Sequence, residues 1–413
     1  MSRSPSPVRP LEVGVVGCGV AGQAAAILLA RQGHRVTVFE RFAEPRPVGA
    51  GLLLQPTGLA VLDALGLGEA ARSKGARVRG LQARTASGRA VLDLDYADLH
   101  PAAHGLGIRR SDLFDLLHGA LKGSRATLVA GLEIASVDGQ VLVDEGGRRH
   151  GPFDLVIAAD GTNSRLRGSL QPSKQVTLYR WGCLWATVPD EGTGFAGSGL
   201  LQQRVRGTRE MMGLLPVAPG VLTLYWSLPV TALDARRALD LDDFRRRATA
   251  LWPEAAPVVA RAAAAGAFTR ATYRHVALPR WNRGGVMLIG DAGHGTSPQL
   301  GQGANLGLVD AWVLADALAE GPDLLSAVIG WERRRESTLY YYQFVSHLLT
   351  PFFQSRSATL GWLRDLAMGP LGRLPPVRRL MTSTLAGTRR GWWSSVPLDG
   401  AGRYPLVPGG GMA

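Results

Sequence analysis

The sequence predicts an α/β protein in which a Rossmann-type dinucleotide-binding domain carries an inserted antiparallel β-sheet and C-terminal helices. Three observations predict this fold: a glycine-rich turn between a strand and a helix near the N terminus, two later buried strands that end at aspartates, and a strand-rich segment between them. A chain of 413 residues suits two domains, and its 46% hydrophobic content supplies an ordinary core.

The N-terminal element is a strand–turn–helix unit. A short apolar strand, EVGVVG, runs into the G-x-G-x-x-G pattern Gly17–Gly22, then into an Ala/Leu-rich helix and a second strand that ends at Glu40. Gly17 permits the tight turn, Gly19 lets the backbone approach a pyrophosphate, and Gly22 lets the helix pack close to the strand. The helix N terminus attracts phosphate, and Glu40 accepts hydrogen bonds from a ribose. This unit predicts dinucleotide binding without choosing between FAD and NAD.

Two later stretches bear on the choice of cofactor. The strand FDLVIAA ends at Asp160-Gly161 and continues as D-G-x-x-S-x-x-R. The strand VMLIG ends at Asp291, followed by a glycine-rich loop and a long helix that begins near Ala304. A second helix N terminus aimed at a strand-end crevice suits an anionic or electron-rich group, and Asp291 is placed to bond a ribityl hydroxyl. A further G-x-G-x-x-G match at 192–197 lacks this context and is predicted to be a surface loop.

These motifs, in this order, resemble the single-component (group A) FAD-dependent monooxygenases typified by para-hydroxybenzoate hydroxylase and salicylate hydroxylase. The resemblance covers about residues 11 to 350 and includes PVGAGLLLQPTG and the R-x-x-L start of IRRSDLFDLL. It implies a GR2-like FAD-binding domain. The cofactor contacts that it implies are Gly17, Gly19, Val20, Ala21, Gly22, Glu40, Arg41, Arg110, Asp160, Asp291, Gly301, Gly303, Ala304 and Asn305.

The resemblance also implies an activity. NADH or NADPH would reduce non-covalently bound FAD, and a flavin C4a-hydroperoxide formed with O₂ would hydroxylate or epoxidise an organic small molecule, with an aromatic one expected. The cofactor performs the difficult chemistry, so no acid–base triad and no metal is expected. Three alternatives remain open at this stage: a flavin-dependent halogenase, a prenyl-lipid reductase of the same fold, and a non-enzymatic FAD-binding regulator.

The predicted domains are discontinuous. Residues 11–178 and 274–345 form the FAD-binding domain, 179–273 the substrate-binding sheet domain and 346–395 a C-terminal helical segment, with tails at 1–10 and 396–413. The candidates for substrate contact are Arg204, Arg206, Arg209, Tyr225 and Trp226. Alternation along the strand GVLTLYWSLP places Tyr225 and Trp226 on opposite faces. His294, Tyr225 and Arg209 are the weak candidates for catalysis.

Composition excludes several other classes. The net charge of +13 is spread along the chain without a basic stripe, which argues against nucleic acid and suits anionic ligands. The chain lacks an apolar run long enough to span a membrane, although the basic, aromatic C-terminal segment leaves surface contact with a membrane open. The two cysteines, Cys18 and Cys183, favour a reduced cytoplasmic protein over a disulfide. A monomer or a homodimer is expected.

Overall fold

A computed structural model of the chain describes residues 9–47, 49–170, 176–234, 236 and 238–406. The strands are β1 Glu12–Val16, β2 Arg35–Glu40, β3 Gly51–Leu54, β4 Ala76–Val78, β5 Gly80–Thr85, β6 Ala90–Asp95, β7 Gly105–Arg109, β8 Thr127–Ala130, β9 Ile134–Asp138, β10 Val141–Asp144, β11 Arg149–His150, β12 Leu155–Ala158, β13 Val176–Leu178, β14 Trp181–Pro189, β15 Leu200–Arg206, β16 Glu210–Ala218, β17 Val221–Pro229, β18 Thr269–Ala271, β19 Arg274–Val276, β20 Asn282–Arg283 and β21 Val286–Leu288. The α-helices are α1 Val20–Arg31, α2 Pro56–Ala64, α3 Gly68–Lys74, α4 Arg110–Lys122, α5 Arg165–Leu170, α6 Leu241–Leu251, α7 Ala256–Ala265, α8 Asp291–His294, α9 Gly303–Glu320, α10 Leu324–Phe353, α11 Ala358–Leu371 and α12 Pro375–Leu385.

The first of the two main sheets has six strands in the order β20-β21-β12-β1-β2-β8. Every pair in it is parallel except the edge pair β20–β21. The four residues of β12 are all buried, as expected for a central parallel strand covered on both faces. The sheet brings the carboxyl ends of β1, β12 and β21 side by side, which gathers the three predicted cofactor motifs at one edge.

The second main sheet, called the second sheet below, has seven strands in the order β18-β14-β17-β16-β15-β5-β6. Its pairs are antiparallel apart from the parallel pair β15–β5. The predicted boundary therefore needs a correction, because β5 and β6 come from the 11–178 piece that was assigned to the FAD-binding domain. The local sequence pattern did not reveal that β5 pairs with β15, because this pairing joins residues more than 100 positions apart in the chain.

The two faces of the seven-stranded sheet have different neighbours. Leu184, Leu224 and Trp226 pack with residues of α6 and α7 in one apolar cluster, whereas Cys183 and Tyr225 belong to another. The predicted alternation of Tyr225 and Trp226 is thus confirmed. The face that carries Tyr225 is the one that meets the glycine-rich loop before α9.

The C-terminal helices do not follow the predicted boundary at residue 346, because α10 runs without interruption through that position. Helix α12 begins with Pro375-Pro376, where a missing N–H costs nothing, and ends beside the second sheet. The side chains of Trp362 and Trp393 are 65% and 98% exposed. No described helix is long and apolar enough to cross a membrane.

Both cysteines are buried, and they are not joined to each other. The predicted surface loop at 192–197 is also confirmed, since it lies between β14 and β15 and contains only a single 3₁₀ turn, Ala196–Ser198. Most of the predicted N-terminal tail, residues 1–8, and the last part of the C-terminal tail, residues 407–413, lie outside the described residues.

Candidate active site

The glycine-rich turn after β1 packs too tightly for larger residues at two of its three glycines. Gly17 has a φ of +103°, and a Cβ there would lie 2.4 Å from the carbonyl oxygen of Ala159. A Cβ at Gly22 would lie 2.0 Å from the carbonyl oxygen of Gly17. A Cβ at Gly19 would meet no atom within 4 Å. Gly17 and Gly22 are therefore required by packing, whereas Gly19 borders open space.

That open space faces the N terminus of α1. Gly19 is the N-cap and no side chain caps the helix, so the first backbone N–H groups, from Val20 to Gly22, lack intrahelical partners. The positive end of a 12-residue helix and its free donors suit a pyrophosphate. Ala21 is small because Gly290 lies against it: a Cβ on Gly290 would come within 3.0 Å of the Ala21 Cβ.

Glu40 lies at the end of β2, beside this turn. Its Oε2 accepts a hydrogen bond of 2.9 Å from the Cys18 backbone N–H, and its Oε1 accepts one of 3.1 Å from the Phe42 N–H. Each oxygen keeps a lone pair that a ribose hydroxyl can use. The next residue, Arg41, stacks on the Phe42 ring, with its guanidinium carbon 4.7 Å from the ring centroid.

Arg110 begins α4 and reaches back across the segment after β2. Its backbone N–H donates to the Ala50 carbonyl at 2.8 Å, and a Cβ on Gly49 would lie 3.0 Å from its Nε. That Nε is buried and has no hydrogen-bond partner in the protein. A buried guanidinium nitrogen without a partner is costly, so a ligand acceptor at this position would stabilise it.

The D-G motif joins two strand ends. Asp160 Oδ2 accepts a 2.9 Å hydrogen bond from the Arg165 backbone N–H and so caps the start of α5, while its buried Oδ1 has no partner. Burial raises the pKa of this carboxyl. The last residue of the motif, Arg167, donates from Nη1 to the Ala292 carbonyl and from Nη2 to the Thr162 carbonyl, both at 2.9 Å. The arginine therefore ties the end of β12 to the loop after β21.

The G-D motif and the glycine-rich loop form the opposite wall. Asp291 is exposed at the end of β21, and a Cβ on Gly303 would lie 3.5 Å from its Oδ1. Gly301 has a φ of +62° and open space around it, and Gly303 and Ala304 begin α9. The carboxylate thus stands at the N terminus of an 18-residue helix.

Asn305 holds this loop in place instead of presenting its amide to a ligand. The side chain is fully buried; its Oδ1 accepts from the Gln55 N–H at 2.8 Å, and its Nδ2 donates to the carbonyls of Leu53 and Gly301 at 3.2 and 3.1 Å. Both amide hydrogens are used, so any flavin contact at Asn305 would be through its backbone.

His294 is also fully buried. Its Nε2 lies 2.5 Å from Asp310 Oδ2, and Asp310 Oδ1 accepts a 2.8 Å hydrogen bond from Arg335 Nε. Burial raises the pKa of Asp310, but His294, Arg335 and the Gly290 N–H outweigh it and bring the pKa to about 2. His294 lies outside the cavity lining described next, so this group fixes the G-D loop against α9 and α10.

A cavity that is partly open to solvent lies between the second sheet and the glycine-rich loop. The sheet side is formed by Leu81, Cys183, Leu201, Gln203, Met211 and Tyr225. The remaining lining residues are Leu53, Pro298, Gln299, Leu300, Gly301 and Leu385. Ligand pockets of enzymes have this mixture of many apolar and few polar groups.

Tyr225 is the sequence-predicted candidate that the structure places in this cavity. Its ring is accommodated by Gly213 on the neighbouring strand, where a Cβ would lie 2.2 Å from the ring. The Tyr225 hydroxyl accepts a hydrogen bond from Gln203 Nε2. Burial raises the pKa of Tyr225, and it raises the pKa of the Cys183 thiol to about 12. Both groups therefore stay protonated at neutral pH.

The other candidates for substrate contact do not line the cavity. Arg204 stacks on Trp252 at 4.6 Å, Arg206 donates to the Ala250 carbonyl at 2.6 Å, and Trp226 is buried against α6 and α7. Arg209 is exposed in the turn between β15 and β16. Arg204, Arg206 and Trp226 are directed away from this cavity because even-numbered residues of β15 and β17 lie on the opposite face of the sheet from Gln203 and Tyr225.

The structure adds residues that sequence reasoning missed. Gln203 and Gln299 supply the polar side chains of the cavity, and Leu385 closes it from α12. Successive residues of a strand point to opposite faces, so Gln203 and Arg204 cannot both line the cavity. The register of β15 with β16 would have identified Gln203 as the residue on the cavity face, but the sequence does not give that register. For Leu385, which comes from the far C-terminal end of the chain, the sequence offers no comparable pattern.

The glycine-lined N termini of α1 and α9, with an apolar cavity beside the loop that precedes α9, fit a flavin-dependent oxygenase. The chain belongs to the FAD binding domain family, whose sequence profile matches residues 10–322. It is an FAD-dependent monooxygenase of the group A type.

Similar proteins agree with this assignment. The chain is 30% identical over 373 residues to a probable 2-heptyl-3-hydroxy-4(1H)-quinolone synthase, AqdB2, of Rhodococcus erythropolis, covering 87% of this chain and 91% of that protein. It is 31% identical over 343 residues to the 6-methylpretetramide 4-monooxygenase of Streptomyces rimosus, covering 77% and 78%. The structure of Pseudomonas aeruginosa PqsL with 2-aminobenzoylacetate superposes with a TM-score of 0.73 at 25% identity, covering 86% and 99%. These relatives support the monooxygenase and not the halogenase alternative.

Proposed function

We propose that this monooxygenase takes electrons from NADH or NADPH and inserts one atom of O₂ into a flat aromatic or heterocyclic small molecule bound in the cavity. The observation that carries the proposal is the position of that cavity, between the apolar face of the second sheet and the loop at Pro298–Gly301. In the balanced reaction, a substrate C–H, O₂, NAD(P)H and a proton give the C–OH product, water and NAD(P)⁺. Two relatives are named for compounds of their own reactions, a 4(1H)-quinolone product and 6-methylpretetramide, and these names support a cyclic organic substrate.

The residues present fit a bound FAD. The open space at Gly19 would hold the pyrophosphate, the buried Arg110 Nε–H, which has no partner in the protein, would donate to an oxygen of the cofactor, and the exposed Asp291 would accept from a ribityl hydroxyl. Glu40 would bind the adenosine ribose, and the loop from Gly301 would support the isoalloxazine ring. When bound, FAD supplies the electron transfer and the activation of O₂.

The chain's own contribution is to position the substrate and to exclude water. Leu53, Leu300 and Leu385 surround the cavity with apolar surface, which limits the access of water to the reacting centre. The strand face fixes a flat ring beside the glycine-rich loop. We infer that NAD(P)H binds transiently, since the second G-x-G-x-x-G match is a surface loop and the Rossmann unit is already used by FAD. We also propose a cytoplasmic location and a monomeric or homodimeric state.

Anaerobic mixing of the FAD-loaded protein with NADH or NADPH, followed by ¹⁸O₂, tests this function. Flavin absorbance is recorded with a panel of phenols, anilines and indoles added in turn. We expect a panel member to accelerate flavin reduction and to gain one ¹⁸O atom. If neither NADH nor NADPH reduces the flavin under any condition, the proposed NAD(P)H dependence is wrong, and the enzyme receives its electrons from a partner protein.

A further inference from the structure

The end of α12 connects the two walls of the cavity, the second sheet and the glycine-rich loop. The Leu385 side chain lines the cavity and belongs to the apolar cluster that contains Met211 and Tyr225 of the second sheet. The Leu385 backbone contacts the other wall, because its carbonyl oxygen accepts a 2.7 Å hydrogen bond from Gln302 Nε2. The same nitrogen lies 3.4 Å from the Thr384 carbonyl oxygen. One glutamine therefore joins the C-terminal helix to the loop that carries the predicted cofactor residues.

Gln302 is itself firmly held. It lies between Gly301 and Gly303, it is the N-cap of α9, and it is 1% exposed. Its backbone carbonyl accepts a 2.9 Å hydrogen bond from the Leu306 N–H, which fixes the residue to the first turn of the helix. Because the last carbonyl groups of a helix lack partners within it, the Gln302 amide also caps the C-terminal end of α12.

Two further contacts fix the end of α12. The hydroxyl groups of Tyr341, in α10, and Thr384 are hydrogen-bonded at 2.6 Å. Gly387, with a φ of +82°, follows the helix, and a Cβ there would lie 2.5 Å from Thr57 Oγ1 and 3.2 Å from Gln302 Oε1. The chain after α12 therefore packs directly against the first turns of α2 and α9, in a backbone conformation that favours glycine.

We propose that Gln302 is a positioning residue for the oxygenation reaction. Its amide holds Leu385 at the boundary between the cavity and the cofactor loop, and the Leu385 side chain keeps water from the reacting centre. The inference rests on the proposed function, which places the isoalloxazine ring beside this loop. If water enters, turnover becomes unproductive: NAD(P)H, O₂ and a proton give NAD(P)⁺ and H₂O₂, and the substrate is left unchanged.

Gln302→Met tests the proposal in the oxidised, FAD-loaded protein. Methionine keeps the length of the side chain and removes the donor, and the lost Oε1 has no hydrogen-bond partner among the described residues. Hydrogen exchange of residues 380–388, measured by mass spectrometry, should accelerate about 5- to 10-fold, because a buried hydrogen bond no longer holds the end of α12. Quenching of flavin fluorescence by acrylamide should increase at least about twofold, because the cavity becomes more open.

Gln354→Met is the matched control. Gln354 is also buried, its Nε2 donates to Ser227 Oγ at 2.9 Å, and its Oε1 has no partner among the described residues. It is not one of the lining residues, so quenching by acrylamide and exchange of residues 380–388 should equal those of the wild type. FAD content and thermal midpoint are measured for both variants. Wild-type exchange and quenching in a folded, FAD-loaded Gln302→Met protein would overturn the inference.

A double-mutant cycle with Leu385→Ala separates positioning from a general structural role. Leu385→Ala should itself increase the quenching by acrylamide. Gln302→Met should add nothing in that background, because the side chain that it positions is gone. Additive increases would show that Gln302 acts on the fold as a whole and would also overturn the inference.

Turnover gives a further readout. With a panel compound that accelerates flavin reduction, Gln302→Met should raise the share of oxidised NAD(P)H that appears as H₂O₂ at least about twofold, with the rate of flavin reduction unchanged. An unchanged share would contradict the role in oxygenation. Failure of the proposed function is distinguishable, since it would appear as a wild-type flavin that neither NADH nor NADPH reduces. Exchange and quenching need no electron donor, so they still decide the role of Gln302 in that case.

Discussion

The cofactor end of the six-stranded sheet and the cavity beside the seven-stranded sheet are built in different ways. The first is made of short continuous motifs, and its buried Asp310 carboxylate is bonded by both Arg335 and His294. The second takes one or two residues from each of β3, β5, β14, β15, β16, β17 and α12, together with the loop at Pro298–Gly301, and no described lining residue is Asp, Glu, Lys, Arg or His. The cofactor end therefore depends on backbone turns and a buried carboxylate, whereas the cavity depends on uncharged side chains gathered from many elements.

Removal of the buried carboxylate is the strongest way to test this contrast. Asp310→Ala should destabilise the protein by about 3–5 kcal/mol, because Arg335 and His294 would keep buried polar groups without their partner. The free energy of unfolding in urea measures the effect. An Asp316→Ala variant, which removes a partly exposed partner of Arg334, should cost far less. Equal losses in the two variants would contradict the special role of the buried group.

The same carboxylate predicts a pH dependence. Its pKa of about 2 lies below the reference value of 3.8, so it binds its proton more readily in the unfolded chain. The stability that it contributes is present above pH 4 and is lost as the pH falls from about 4 towards 2. The difference in unfolding free energy between wild type and Asp310→Asn should shrink over that interval. A constant difference would show that Asp310 is not ionised in the native state.

Gly19→Val tests whether the cofactor end binds through its open backbone. A Cβ at this position would meet no protein atom within 4 Å, so the fold should persist, whereas the valine side chain would occupy the space in front of α1. FAD affinity, measured by fluorescence titration, should fall on the order of 100-fold. The matched control is Gly119→Val, since Gly119 is also exposed with open space around it but lies in α4. Normal FAD affinity in Gly19→Val would place the pyrophosphate elsewhere.

Arg110→Leu should have a smaller effect on the same affinity. Loss of one charge-assisted hydrogen bond from the buried Nε corresponds to about 1.5–3 kcal/mol, or roughly 10- to 100-fold weaker FAD binding. Arg245→Leu, which alters an exposed ion pair on α6, serves as the control. If the two variants bind FAD equally well, Arg110 is a structural residue of α4.

Arg209→Ala should have the smallest effect. The side chain is exposed in a turn and is not part of the cavity lining, so stability should change by no more than about 0.5 kcal/mol. Substrate-stimulated flavin reduction should match that of the wild type. A clear loss of stimulation would mean that the turn folds over the cavity when substrate is bound.

The sequence by itself determined the cofactor end of this protein. Local patterns include Gly17, Gly19 and Gly22 and the acidic residues at or just after the ends of β2, β12 and β21. These patterns are local because phosphate binding needs a particular backbone turn and a helix start within a few residues, and they were sufficient to indicate the family. The alternation of Tyr225 and Trp226 was local in the same sense.

Only the tertiary structure determined which residues line the cavity. The pairing of β15 with both β16 and β5 determines which face of the second sheet meets the glycine-rich loop. Leu385, at the end of α12, lies 84 residues after Gly301 in the chain and yet lines the same cavity. The burial that commits the side chains of Asn305 and His294 to hydrogen bonds within the protein is equally a result of packing. Such contacts join distant parts of the chain, and no local pattern encodes which of two strand faces will be covered and by what.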